Sequence, residues 1–325
     1  MKELFANIAY ILIMIPVKLI GLIPRWCHRC IAFLFSRVMY LIPQMGGLVR
    51  MNLKSAFPEK TEKERNRIAV KSLEHLILTA LELLWSRGKT RKIMDELIVS
   101  EPYSTESAER VRQYPVDGAF FITPHHGNWE YAGMYISMGY GFPLATVVHR
   151  PNNPLLSKLI NSSRLVDGVE IIYARGAALS MAHALRKGKS VGILIDQNTR
   201  IRNNGGFVNF FGLPVPVSLV AANLARKGNR ILAIGSVVRE GEKFKVMMRT
   251  LCASDYDSDL ELTQAIMNIS EEMIREYPEQ YLWMYKRFQN IPPDASEELK
   301  RRYPPYAKVP SERFFSMAAH HGTKK

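Results

Sequence analysis

The sequence predicts an α/β fold: a single domain on a central mixed, mainly parallel β-sheet flanked by helices, preceded by an N-terminal hydrophobic helical membrane anchor. Three observations lead there. From residue 118 onward, short apolar runs alternate with amphipathic stretches, the pattern of parallel strands joined by crossover helices. The first 44 residues are dominated by apolar side chains, too continuous for a solvated surface. A length of 325 residues with 47% hydrophobic content is enough for one such domain with extensions.

Residues 4–24, LFANIAYILIMIPVKLIGLIP, are almost wholly apolar but are interrupted by Pro16 and Lys18. They fall at the lower edge of what crosses a hydrocarbon layer of about 30 Å, so the segment either spans or lies in the interface. A cleaved signal is disfavoured, because no small-x-small site precedes Arg25. After Arg25 and Arg29 comes a second apolar segment, CIAFLFSRVMYLIP at 30–43, and the two together suit a hydrophobic hairpin on a membrane surface. Residues 1–44 are therefore assigned to the anchor, 45–295 to the α/β domain and 296–325 to a basic, Pro-containing tail expected to be poorly ordered. Basic residues after the first apolar segment place the rest of the chain in the cytoplasm.

Within the domain, Thr61-Glu62-Lys63-Glu64 forms a capping box opening a long helix, with Ile68, Ala69, Leu73, Leu76, Ile77, Ala80, Leu83 and Leu84 as its apolar positions and an end near Gly88. Strands are expected at 118–123, 144–149, 169–173, 190–195, 230–238 and 243–249, in mainly parallel order with antiparallel strands at one edge. Helices are expected at 128–138, 153–164, 177–187, 216–227 and 258–276.

Forty-four Lys and Arg against 30 Asp and Glu give a formal net charge of +14, which calls for an anionic partner. Nucleic acid, an anionic membrane and an acidic carrier protein all satisfy that. No known nucleic-acid motif and no interleaving of basic and aromatic residues is found, which leaves a non-catalytic basic membrane protein as the competing class. Cys27, Cys30 and Cys252 do not form a disulfide framework, and Cys27-His28-Arg29-Cys30 lacks the second pair a zinc site needs. A reducing compartment fits. No G-x-S-x-G elbow follows a strand, and His125-His126 is not a metal-binding i, i+4 pair.

Chemistry concentrates in GAFFITPHHGNWEYAG, residues 118–133. A buried strand runs into Pro124, two histidines and Gly127, and Asn128 then caps a helix. On one continuous helix, residues five apart diverge by roughly 140°. With His125 on the loop and Glu130 in the first turn, the two can meet. The reading is a dyad: His125 is the general base for a substrate hydroxyl, and Glu130 orients the imidazole and favours its charged form. Oxyanion donors are sought in the backbone N–H groups of Gly127, Asn128 and Trp129 at the helix N-terminus. His126 is read as structural. Arg150 and Arg175, each just past a strand, are candidates for contacting an anionic group of a substrate. Asp196, ending the apolar strand VGILID, either contacts substrate or braces the following loop. Trp283 and Phe288 are expected in the core, while Phe207, Phe210 and Phe211 either line an apolar slot or pack ordinarily. No metal or organic cofactor is called for, since such a transfer needs only a base and oxyanion donors.

The residues around this site resemble the bacterial lipid A biosynthesis late acyltransferases, the lauroyl and myristoyl transferase family. His125-x4-Glu130 is similar to its H-x4-D/E motif, Arg150-Pro151-Asn152-Asn153-Pro154 to its R-P-x-x-N-P segment, and Gly192-Ile193-Leu194-Ile195-Asp196 to its strand ending in an acid. Gly206-Phe207-Val208-Asn209-Phe210-Phe211-Gly212 resembles its F-V-P-F-F-G loop, with Asn209 in place of Pro, and Pro278-Glu279-Gln280-Tyr281-Leu282-Trp283 through Phe288 its carboxy-terminal signature. The resemblance implies a single α/β domain on the cytoplasmic face of the inner membrane. It also implies acyl carrier protein as acyl donor and a hydroxyl of a Kdo-bearing lipid A precursor as acceptor. A related acyltransferase acting on a mannoside or glycerolipid shares HHGNWE and is the alternative enzyme reading.

Overall fold

A computed structural model describes residues 17–150, 153–164, 169–174 and 176–316. Most of the first apolar segment and Arg175 lie outside those residues. After a helical turn at 17–22, the chain forms α1 (Arg25–Leu41), a π-helical turn at Pro43–Gly47, α2 (Leu48–Ala56), α3 (Glu62–Trp85), α4 (Thr90–Leu97), β1 (Ile98–Ser100) and α5 (Pro102–Arg112). The alternating region follows: β2 (Phe120–Thr123), α6 (Trp129–Met138), β3 (Leu144–Val148), α7 (Pro154–Arg164), β4 (Val169–Tyr173), α8 (Ala177–Arg186) and β5 (Ser190–Leu194). Then come the hairpin β6 (Gly205–Phe210) and β7 (Leu213–Ser218), α9 (Val220–Lys227), β8 (Ile231–Glu240), β9 (Lys243–Cys252), α10 (Asp259–Glu276) and α11 (Glu297–Arg302).

Seven strands form one sheet in the order β1-β9-β8-β2-β5-β3-β4. Strands β8, β2, β5, β3 and β4 run parallel, while β9 pairs antiparallel with β8 and carries β1 beside it. The α/β class, with its mixed, mainly parallel sheet flanked by helices, and all six expected strands are found. Successive strand residues face opposite sides, and both sides are apolar. Phe120, Ile122, Ala145, Val191 and Ile234 pack toward α8, α9 and α10. Ala119, Phe121, Leu144, Ala233 and Met248 pack toward α5 and α6.

Two elements depart from the sequence reading, and a third settles an open alternative. Residues 216–218 belong to strand β7 and α9 begins only at Val220, because Pro214 and Pro216 favour extended backbone over helix. Phe210 and Phe211, 0% and 2% exposed, pack with Phe57, Trp283 and Phe288. For these two the ordinary-packing alternative holds, and neither lines the cavity. The tail expected to be poorly ordered is ordered through Ser316: Tyr303 donates to Pro214 O at 2.6 Å and Lys308 N to Gln289 O at 2.9 Å.

The capping box at Thr61 is present, with Glu64 N donating to Thr61 Oγ1 at 3.3 Å and Thr61 N to the Glu64 carboxylate at 2.7 Å. The inward stripe of α3 is less apolar than its periodicity suggests, since Ser72, Thr79 and Glu82 are buried and Ala80 is exposed. Helix α1 packs on α3 through His28, Ala32 and Ser36. Its large apolar residues, Trp26, Phe33, Leu34, Val38 and Leu41, are 46–79% exposed. No single described helix is long and apolar enough to cross a membrane, although α1 and residues 43–56 pass together as a pair bent by 84°.

Candidate active site

His125 and Asp196 meet because of strand register. Thr123 of β2 lies opposite Leu194 of β5 in a parallel pair, so the residues two positions further along leave the sheet side by side. His125 Nδ1 is 2.7 Å from Asp196 Oδ1, and the His125 backbone N–H donates to Oδ2 at 3.0 Å. Asp196 is 2% exposed. It braces a backbone N–H, as the sequence suggested, but that of the neighbouring loop, and it also holds the imidazole. The expected orienting role of Glu130 is thus filled at Nδ1 by Asp196. Glu130 instead receives Arg164 in a two-pronged pair, Nε to Oε2 at 2.7 Å and Nη2 to Oε1 at 2.5 Å.

The loop is clamped from both sides. Gly127 pairs with Val237 of β8 and His126 with Tyr281. Gly127 N donates to Gln280 O at 2.9 Å, Asn128 N to Val237 O at 2.6 Å and Leu282 N to His125 O at 2.9 Å. Gly127 has φ +65°, and a Cβ there would stand 2.1 Å from Val237 O, so no other residue fits. Two N–H groups expected to stabilise an oxyanion, those of Gly127 and Asn128, are therefore already committed to carbonyls. Asn128, 0% exposed, caps α6 by accepting from Tyr131 N at 3.0 Å and donates to Glu82 at 2.8 Å. Its amide is a brace for the site, and substrate contact by it has no support. Glu82 is in turn paired with Arg239 at 2.6 Å, and Gln280 exchanges two hydrogen bonds with the Arg239 backbone. The carboxy-terminal signature thereby fixes β8, and β8 fixes the loop.

Electrostatics separate the two histidines. Burial lowers the basicity of His125, but the charge and hydrogen bond of Asp196, helped by Glu130, outweigh it and the net shift is upward. Asp196 would be pushed up by its burial, yet the His125 imidazole, the His125 N–H and the Arg287 guanidinium pull it to about 2. His126 is fully buried and falls to about 4 through desolvation. Its Nε2 must donate to Tyr277 O at 3.0 Å, leaving Nδ1 to accept from Ser236 Oγ at 3.1 Å. That makes it a neutral structural residue.

His125, Trp129, Glu130 and Arg164 line a cavity of about 870 Å³ that continues between α6 and the sheet past Phe121, Thr146, Gly192 and Ala233. The Trp129 ring stands edge-on to the imidazole at 5.2 Å, and among the described residues nothing engages His125 Nε2. Arg150 is exposed with its guanidinium 5.5 Å from the Tyr173 ring centroid, and it is not among the cavity-lining residues. Arg175 lies outside the described residues. Sequence reasoning missed Arg164 and the Asp196–His125 contact. The available signal was the equal offset of His125 and Asp196 from two strand ends, which needs the strand order to be read.

A buried histidine–carboxylate pair at the carboxyl ends of parallel strands, opening on an apolar cavity, defines an α/β enzyme equipped for base-assisted group transfer. The chain belongs to the bacterial lipid A biosynthesis acyltransferase family, whose sequence profile matches residues 2–290. It is an O-acyltransferase of lipid A biosynthesis. It is 27% identical over 255 residues to the lipid A biosynthesis lauroyltransferase of Escherichia coli K12, covering 75% of this chain and 79% of that one. It is 24% identical over 256 residues to the palmitoleoyltransferase of the same strain, covering 76% and 79%. The 1-acyl-sn-glycerophosphate acyltransferase PlsC of Thermotoga maritima aligns with a TM-score of 0.36 and 13% identity, over 80% of this chain and 100% of that one.

Proposed function

We propose that the enzyme moves a fatty acyl chain from an acyl carrier protein thioester to a hydroxyl of a Kdo-bearing lipid A precursor at the cytoplasmic face of the inner membrane. The observation that carries this reading is the His125–Asp196 pair at the mouth of a largely apolar cavity. Asp196 accepts from Nδ1–H, so Nε2 is the nitrogen free to take the acceptor's hydroxyl proton. The alkoxide attacks the thioester carbonyl carbon, the carbonyl oxygen takes up negative charge, and the tetrahedral intermediate expels the thiolate. The imidazolium returns its proton to that sulfur.

Arg164 lines the same cavity, and only its Nε and Nη2 are directed to Glu130, so Nη1 is the group we assign to the developing oxyanion. Glu130 holds Arg164 and adds negative charge beside His125, an indirect part in catalysis. A net charge of +14 suits both an acidic carrier and a phosphorylated acceptor. The test is mass spectrometry of lipid A from the host with the gene deleted and complemented. Deletion removes one secondary acyl chain, wild type restores it and His125→Ala does not. Restoration by His125→Ala would overturn the assignment of the base.

A further inference from the structure

Gly133 sits inside α6, in the wall of the cavity. Glycine weakens a helix more than any residue but proline, so a mid-helix glycine calls for a local reason. None is found in the backbone: Gly133 does not have a positive φ, and a Cβ built there meets no heavy atom within 4 Å. Gly127, four residues before Tyr131, contrasts with it, being held by positive φ and a carbonyl in contact. What glycine provides at 133 is width in the cavity.

The opposite wall is one row of the sheet. Register places Ala233, Phe121, Gly192 and Thr146 side by side across β8, β2, β5 and β3, and all four line the cavity. That row lies four residues before His125 on the chain, about 13 Å from it at strand spacing. Gly192 adds no side chain to the floor, and a Cβ there would already stand 3.3 Å from Thr146 Oγ1. Gly133 is four residues beyond Trp129, about 6 Å down the helix from the mouth. An acyl chain whose thioester carbonyl lies at His125 must pass Gly133 to reach the row.

We propose that Gly133 determines how long an acyl chain this enzyme accepts, by leaving open the lumen between α6 and the sheet. The inference rests on the acyl-transfer reading above. A leucine at 133 would fill the lumen with branched carbon and cut off its deeper part. An alanine would narrow it by one methyl group.

The experiment compares the full-length wild type with Gly133→Ala and Gly133→Leu in two measurements. The first is transfer from saturated acyl carrier protein thioesters of eight to sixteen carbons to the lipid A precursor. The second is displacement of a fluorescent fatty acid by saturated fatty acids of the same lengths, which needs no turnover. The ratio of kcat/KM for the longest to the shortest donor is expected to fall at least tenfold in Gly133→Leu, with a smaller fall in Gly133→Ala. Displacement should level off at a shorter chain in the same order. Alanine favours the helix, so that variant keeps the test open if the leucine variant does not fold. Identical chain-length profiles in the folded proteins overturn the proposal. If the wild type transfers nothing, the reaction reading falls, and the displacement profiles alone decide whether position 133 limits chain length.

Discussion

At Asp196, burial and pairing act in opposite directions, and pairing wins. A carboxylate 2% exposed would ordinarily take up a proton, but the imidazole and backbone N–H of His125 hold it ionised, with a pKa of about 2. The same contact raises His125. A base must be neutral to act, so kcat/KM should decline as pH falls through the raised His125 value. Replacing Asp196 with Asn removes the anion while leaving an acceptor for Nδ1–H. We expect kcat to drop by about 10³ to 10⁴, by analogy with triad aspartates, and the acid limb of the profile to move to lower pH. A pH–rate profile checks both. An unshifted acid limb would mean that Asp196 does not govern the titration. Linkage gives the matching stability signs. The raised His125 contributes stability below its ordinary pKa, which is lost as pH rises through the raised value. The lowered Asp196 contributes stability above its ordinary range, lost as pH falls through about 2.

At the scale of elements, the loop between β2 and α6 is positioned by parts distant in sequence. Strand β8 supplies Val237, residues 280–282 supply a second pairing partner, and α3 supplies Glu82 for the cap residue Asn128. Close approach at Gly127 is the tightest of these contacts. Gly127→Ala must push the loop off Val237 or force an alanine into φ +65°, at a cost on the order of 2 kcal/mol or more. We expect a lower denaturation midpoint together with reduced kcat, read by urea unfolding and steady-state kinetics. Normal stability with normal kcat would show that the clamp is slack. The polar stripe of α3 has its explanation here. Thr79 donates to Gly127 O at 3.2 Å and receives Arg239 at 2.7 Å, so positions that periodicity would fill with apolar side chains serve the loop.

Across the whole molecule, α1 is oriented opposite to a helix of a soluble core. Its small and polar residues face α3 and its large apolar residues face out, beside Arg25, Arg29 and Arg37. Arg25 and Arg29 tie the helix to the β8–β9 turn through Glu242. This arrangement suits a helix lying in a lipid interface with its axis along the surface. We propose that Phe33 and Leu34 enter the interface; exchanging both for Glu then forfeits about 1.5–3 kcal/mol of membrane burial per residue. Partitioning of the full chain onto phosphatidylglycerol-containing vesicles should then fall by tenfold or more in a flotation assay. Unchanged partitioning would assign attachment to the segment before Arg25.

Periodicity and composition by themselves determined the α/β class, six of the eight strands from 118 onward, the long capped helix at 62–85, the apolar character of the amino-terminal region, and the loop that bears His125. These are local properties: a strand or helix stripe is visible within ten residues, and so is a cap. Tertiary structure alone decided which carboxylate holds the imidazole. Glu130, five residues away, lies in the first turn of α6 with its side chain engaged by Arg164, whereas Asp196, 71 residues away, shares a sheet register with His125. It also decided that the N–H groups of Gly127 and Asn128 are spent on carbonyls, that Phe210 and Phe211 are core, and that residues 297–316 are packed. Each of these depends on which strands and loops become neighbours, and that information is carried by long-range packing that no sequence window contains.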